Sequence, residues 1–306
     1  MYYIRSSHAQ KDLFNQTQSR LFASLKYLYS SLESLNNDPR QHQIQQKLQN
    51  LETKPASPLL YALNTLLASQ EPANIDFCIK ALLETNFTQT ELIEDTAYFK
   101  NNGLAALILE KAIQLDVSNT KPIQQESALI QKINKAIQTI HHYTPLMGCE
   151  VDHFMKKVYI TSSPKMISGT SFNLFGAIYL GDSLLKEHDI IMSTSIIHEV
   201  AHLYFYALST IDPLIVNDYE EKYPSPLKTD ERPLIAVFHA VFVLSRMVNF
   251  LKQILNYPKS SLYQEALIEY RKNIAFFEAG YETVSKNAKL TTMGKKFLRD
   301  IRRKTS

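Results

Sequence analysis

Two cysteines, Cys78 and Cys149, are all that this 306-residue chain carries. That excludes a disulfide framework and the small secreted scaffolds that depend on one. No stretch of about 18 apolar residues occurs, so no membrane span is expected. The opening Met1-Tyr-Tyr-Ile-Arg-Ser-Ser lacks the apolar core of a signal peptide. Charge of one sign is also missing: a net +3 gives no reason to expect nucleic acid or an anionic membrane as partner. The expected compartment is the cytoplasm. Neither an internal repeat nor a low-complexity tract is present. Glycine is scarce, and all 7 lie at Gly103 or later, so residues 1–102 are free of that helix breaker. What remains is an ordinary globular composition, 45% hydrophobic and 21% charged, long enough for one large or two modest cores.

The first part of the chain reads as helices. Phe14, Leu21, Leu25, Leu28, Leu32 and Leu35 fall three, four and seven apart and form one apolar stripe on a long helix. Ser57-Pro58 is an N-cap followed by proline at the first helical position, leading into Leu59 to Ala68. Further helices are expected over Ile75 to Leu83, Leu104 to Leu115, and after Pro122 through Ile140. Past Pro145 the texture changes. Lys157 to Thr161 is short and β-branched, and Phe175 to Leu180 is bounded by glycines, so both predict strands. A polar loop of Ser162-Ser-Pro and Ser168-Gly-Thr-Ser separates them. Paired as a hairpin or small sheet, the strands offer an edge to an extended peptide. The polar, proline-bearing stretch Ser209 to Asp230 has the character of a loop that covers a site. Pro233 opens a strongly apolar helix, Leu234 to Leu251. Ser261-x-x-Gln264 reads as a capping box for the next helix, and Leu290-Thr-Thr begins a last short one. The expected class is α+β, mainly α: a helical region over 1–145 as scaffold or lid, then a small antiparallel sheet or hairpin and a helical core over 146–306.

The chemistry concentrates at Ser195-Ile-Ile-His-Glu-Val-Ala-His202. Histidines four apart share one helix face and reach a single cation, with the Glu199 carboxylate beside them. This is the H-E-x-x-H pattern of zinc sites in which glutamate is the general base, so the core over 146–306 is expected to be metal-binding and similar to an HExxH metallopeptidase. The flanking Ile190, Ile191, Ile197, Val200, Leu203 and Tyr204 predict a buried helix, where two imidazoles and a carboxylate are costly without a partner.

His198 and His202 leave the third ligand open. A metzincin needs glycine and histidine where this chain has Phe205 and Leu208, which excludes that class. Glu220, Glu221 and Glu231 are downstream carboxylates. His239 stands alone in Leu234-Ile-Ala-Val-Phe-His-Ala-Val-Phe-Val-Leu244, where an imidazole needs a partner. Arg232 and Arg246 lie seven residues to either side, two helical turns away, and their guanidinium groups suit the carboxylate of an acidic cosubstrate or substrate.

Five segments occur in order: Ser168-Gly-Thr-Ser, Phe175-Gly-Ala-Ile-Tyr-Leu180, Ile197-His-Glu-Val-Ala-His-Leu203, the Glu231-Arg-Pro-Leu to Arg246 stretch, and Leu290-Thr-Thr-Met-Gly294. Over about residues 150–300 the chain thereby resembles the HExxH-motif proteins encoded beside ribosomally made peptides, the 2-oxoglutarate-dependent HExxH peptide β-hydroxylases. The resemblance implies Fe(II) held by His198, His202 and His239, with 2-oxoglutarate as cosubstrate, gripped at its distal carboxylate by Arg246 or Arg232. It implies hydroxylation of a side-chain β-carbon in a peptide or protein, such as a ribosomally made precursor. Glu199 then orients substrate instead of acting as a base. Three imidazoles suit Fe(II) and Zn(II) alike, so the alternative is a zinc metallopeptidase with Glu199 as general base.

Overall fold

A computed structural model describes residues 6–36, 38–87, 91–96, 103–113, 122–162 and 167–305. In chain order the elements are α1 (Ser7–Ser30), α2 (Arg40–Glu52), α3 (Pro58–Ala68), α4 (Pro72–Glu84), β1 (Ile93–Asp95), α5 (Gly103–Ile113), α6 (Glu126–Tyr143) and α7 (Pro145–Phe154). There follow β2 (Lys157–Thr161), β3 (Ser168–Thr170), β4 (Ala177–Gly181), α8 (Asp189–Ser209), β5 (Lys222–Tyr223), β6 (Arg232–Pro233), α9 (Leu234–Leu255), α10 (Tyr263–Asn287) and α11 (Thr292–Thr305). The protein is mainly helical with a small sheet, as the composition and periodicity predict. Part of the expected Ser162-Ser-Pro loop and the end of the helix expected to reach Leu115 fall outside the described residues.

Backbone contacts gather the chain into two compact units, each made from separated stretches of sequence. One comprises residues 14–126 and 155–183; the other comprises 1–13, 127–154 and 184–306. A single cut after residue 145 does not anticipate this interleaving, because composition along the chain does not register which distant stretches pack together.

The first unit packs α2, α3, α4, α5 and most of α1 around Phe22, Leu25, Leu63, Ile79 and Leu82, all essentially buried. Ser57 caps α3 as its sequence predicts, its side chain accepting from the Leu59 amide. The stripe running to Leu35 does not lie on one helix, however. α1 ends at Ser30, and the Ser30 and Ser31 hydroxyls donate to the carbonyls of Tyr27 and Leu28. Serine hydroxyls that bond the preceding turn compete with helix propagation, and Leu35 reaches the core from a separate 3-10 turn.

The sheet in this unit has the order β1-β2-β4-β3. The expected antiparallel hairpin is corrected here: β2 and β4 pair in parallel, with Val158 opposite Ile178 and Ile160 opposite Leu180. β1, drawn from the mainly helical N-terminal stretch, pairs in parallel with β2, and only β3 runs antiparallel to β4. Parallel neighbours need a long connection. The stretch between Thr161 and Ala177 supplies it, with β3 and a 3-10 turn at Phe172–Leu174 inside it. Gly176 closes that connection at φ +94, a conformation that favours glycine, while its carbonyl accepts from the amides of Lys156 and Lys157.

The second unit is a helical core in which α9 packs against α8, α10 and α11. Phe205, Phe238, Phe242 and Phe297 interlock there, with ring centroids 5.0 to 6.4 Å apart. α9 is long and apolar enough to cross a membrane, yet most of that stretch is buried inside the protein. Pro233 precedes α9 where the first helical amides need no partner from it. The capping box expected at Ser261 does not form; Ser260 instead accepts from the Leu262 amide, and α10 begins at Tyr263. Thr291 caps α11, its hydroxyl accepting from the Gly294 amide at 2.9 Å. Gly294 is required by close approach, since a Cβ there would stand 2.0 Å from the Leu214 carbonyl oxygen. The stretch after Ser209 contains the β5–β6 ribbon and is tied down by Asn217, which bonds the Asn287 carbonyl and the Lys289 amide.

Candidate metal centre

α8 presents His198, His202 and Tyr206 at four-residue intervals, one above the next on a single face. His239 reaches the same place from α9. His202 Nε2 lies 3.0 Å from His198 Nε2, and His202 Nδ1 lies 2.7 Å from His239 Nε2. The three rings meet nearly edge to face, at 71° and 85°, with centroids 4.7 and 4.4 Å apart. Phe205 stacks on His239 at 4.2 Å and 12°, fixing the plane of the ring, and Tyr206 stands edge-on to it at 5.2 Å. His239 thus lies against the HExxH pair, joined through His202.

His202 is the hub, using one nitrogen toward each neighbour. A cation shared by all three needs one nitrogen from each ring, whereas His202 turns a different nitrogen toward each neighbour. Glu199 is buried, and its carboxylate lies within 4.8 Å of ligand nitrogens of His198 and His202. Consecutive helical residues diverge by about 100°, so Glu199 flanks the His198–His202 pair instead of sharing its face. Glu220, Glu221 and Glu231 are exposed, and Glu221 accepts from Tyr223.

Burial holds all three imidazoles neutral. His198 is lowered to about 4 and His239 to about 3, with His198 adding to the effect on His239. His202 is lowered to about 2 by burial and then by its two histidine neighbours. Neutral imidazole is the metal-binding form; among the described residues the ligand atoms that all lie within 4.8 Å of one another are those of His198, Glu199 and His202, with His239 joined through His202. As whole residues the three histidines are of intermediate exposure. The sign for stability follows. Below the ordinary value of 6.5 the unfolded chain takes up protons that the folded site refuses until about pH 4 and lower. Metal-free protein is thus expected to lose stability as pH falls from 6.5 toward 4. Urea midpoints measured across that range should show a shallower slope in His202→Phe, and an unchanged slope would contradict the assignment.

The arginines fare differently. Arg246 is not directed to the histidines: its Nη2 donates to Glu150 of α7 at 2.7 Å, both side chains being 4% exposed. Its guanidinium also lies over the Tyr204 and Phe242 rings, 5.3 and 4.8 Å from their centroids. Glu150 in turn accepts from Gln10 at 3.0 Å. Burial pushes the Glu150 carboxyl up, while Arg246, Lys304 and the Gln10 bond pull it back. Arg232 lies in β6, ahead of the helix, so two helical turns do not relate it to His239. It is half-buried, pairs with exposed Asp230 at 2.6 Å, and among the described residues its Nε finds no acceptor.

Sequence reasoning missed Tyr206 and Glu150. Tyr206 was findable, since it continues the four-residue spacing of the histidines. Its hydroxyl is raised by burial and by the charge of Glu199. Glu150 gave no signal, because nothing in the sequence ties α7 to a position 96 residues later.

The sequence matches no protein-family model and no curated protein.

Proposed function

We propose that this protein is an Fe(II)- and 2-oxoglutarate-dependent oxygenase that hydroxylates a side-chain β-carbon of a peptide or protein. The observation that carries the reading is His239 against His202. It adds a third neutral imidazole to the HExxH pair, while the downstream glutamates that a zinc peptidase would recruit are exposed. The five ordered segments from Ser168 to Gly294 support the oxygenase half, and a ribosomally made precursor peptide is the substrate class they suggest.

In this reading His198, His202 and His239 hold the iron, which supplies the oxidising chemistry with O2 and 2-oxoglutarate. Phe205 keeps the His239 ring in position. Of the two arginines, Arg232 is assigned to the distal carboxylate of 2-oxoglutarate, because an exposed pair with Asp230 exchanges readily, whereas Arg246 already holds Glu150. Glu199 and Tyr206 flank the histidines and orient substrate. The enzyme works in the cytoplasm, a setting that suits two free cysteines, without nucleic acid or membrane as partner.

One observation favours a second reading: Glu199 is buried beside two candidate zinc ligands, where a peptidase needs its general base. Glu199→Gln separates the two. A peptidase loses nearly all turnover with metal still bound. The oxygenase reading predicts that Glu199→Gln protein, reconstituted anaerobically with Fe(II), still converts 2-oxoglutarate to succinate at a measurable rate. Mass spectrometry of a co-expressed substrate peptide reads the product, gain of one oxygen against loss of mass by cleavage. Abolished succinate formation with normal iron loading would overturn the oxygenase reading.

A further inference from the structure

Beneath the end of α11 the second unit holds a cavity of about 430 Å³ that none of the three histidines lines. Its walls carry four basic side chains, Arg246, Lys252, Arg303 and Lys304, against one carboxylate, Glu150. These come from separate elements: Arg246 and Lys252 from α9, Arg303 and Lys304 from the last turn of α11, and Glu150 from α7. Four like charges gathered from two packed helices, against the single carboxylate of Glu150 that Arg246 already holds, leave a net positive lining that favours an added anion.

At the cavity wall Arg246 is 3% exposed, and among the described residues its Nε finds no acceptor although Nη2 is bound to Glu150. That Nε is sealed from solvent, so an anion entering the cavity is met by the less buried cations, Arg303, Lys252 and Lys304. Leu146 and Met147 add an apolar part to the lining. The volume falls in the range of small-molecule sites and is too small for a nucleic acid or a folded partner.

We propose that this cavity is an anion site for a small organic acid or phosphate ester. Carboxylate or phosphate oxygens sit among Arg303, Lys252 and Lys304, and the apolar body lies against Leu146 and Met147. Guanidinium groups pair with such oxygens through two parallel hydrogen bonds. The site stands independently of the metal centre, and the chemistry shared by its two sources is a compact anion of charge two.

Calorimetric titration of the full-length protein tests it, with inorganic phosphate in one arm and succinate in the other. Saturable binding of one equivalent is expected in at least one arm, and the stronger arm names the source. The affinity should be retained in metal-free His198→Ala/His202→Ala protein. It should fall at least tenfold in Arg303→Glu/Lys252→Glu. Because Arg303 is exposed, Arg303→Glu alone serves if the double variant does not fold, and it should show the same direction. No saturable binding in either arm overturns the proposal. So does unchanged affinity in the charge-reversed protein, or binding that vanishes with the histidines.

Discussion

Replacing His239 by alanine is expected to remove specific metal binding while the helical core persists. The ring is one of three neutral imidazoles linked within 2.7 and 3.0 Å, and it comes from α9, whereas the other two come from α8. Losing an outer partner of a metal ligand typically costs 10–100-fold in affinity, so losing a ligand should cost about 100-fold or more. The readout is thermodynamic as well as analytical. Metal at about 100 times its dissociation constant stabilises the folded chain by about 2.7 kcal/mol. Parent protein should therefore gain stability on anaerobic addition of Fe(II), and His239→Ala should gain almost none. His239→Ala protein that still takes up one iron and is stabilised equally would place the third ligand elsewhere, with Glu199 the nearest carboxylate.

The second large effect is on folding. Arg246→Ala leaves the Glu150 carboxylate buried without its guanidinium, both groups being 4% exposed. Breaking a buried ion pair from one side costs about 3–5 kcal/mol, whereas replacing both partners by apolar residues of similar volume is often neutral or stabilising. Urea unfolding should thus show Arg246→Ala severely destabilised, with Glu150→Leu/Arg246→Met recovering most of the loss. Tyr204 and Phe242, which flank the guanidinium, offer the methionine an apolar seat. If Arg246→Ala folds with parental stability and only its 2-oxoglutarate affinity drops, the guanidinium serves the cosubstrate and the structural role fails.

The contrast between His239 and Arg246 shows what the sequence could convey. Both lie on α9 and were related by a seven-residue spacing, which is a statement about one helix. For His239 the inference went further, because an imidazole inside an apolar run requires a partner and α8 offered two. For Arg246 the same requirement held, but the partner it found was Glu150 on α7, a helix whose polar residues gave no periodic sign of what they would meet. The serine-ended α1 and the parallel β2–β4 pairing follow the same pattern. Hydrophobic spacing reveals which residues are buried, not where a hydroxyl ends a helix or how a connection turns.

The sequence by itself determined the helical character, the HExxH face of α8, the cap of α3 and the positions of β2 and β4, because each depends on contacts within one turn or on a period of two or 3.6 residues. Tertiary structure alone decided the parallel sheet, the interleaving of two units, the neutrality of the three imidazoles and the direction of Arg246. Those depend on which distant segments remove water from a group and which charge they bring to it. That choice is made by packing between elements, and no local pattern encodes it.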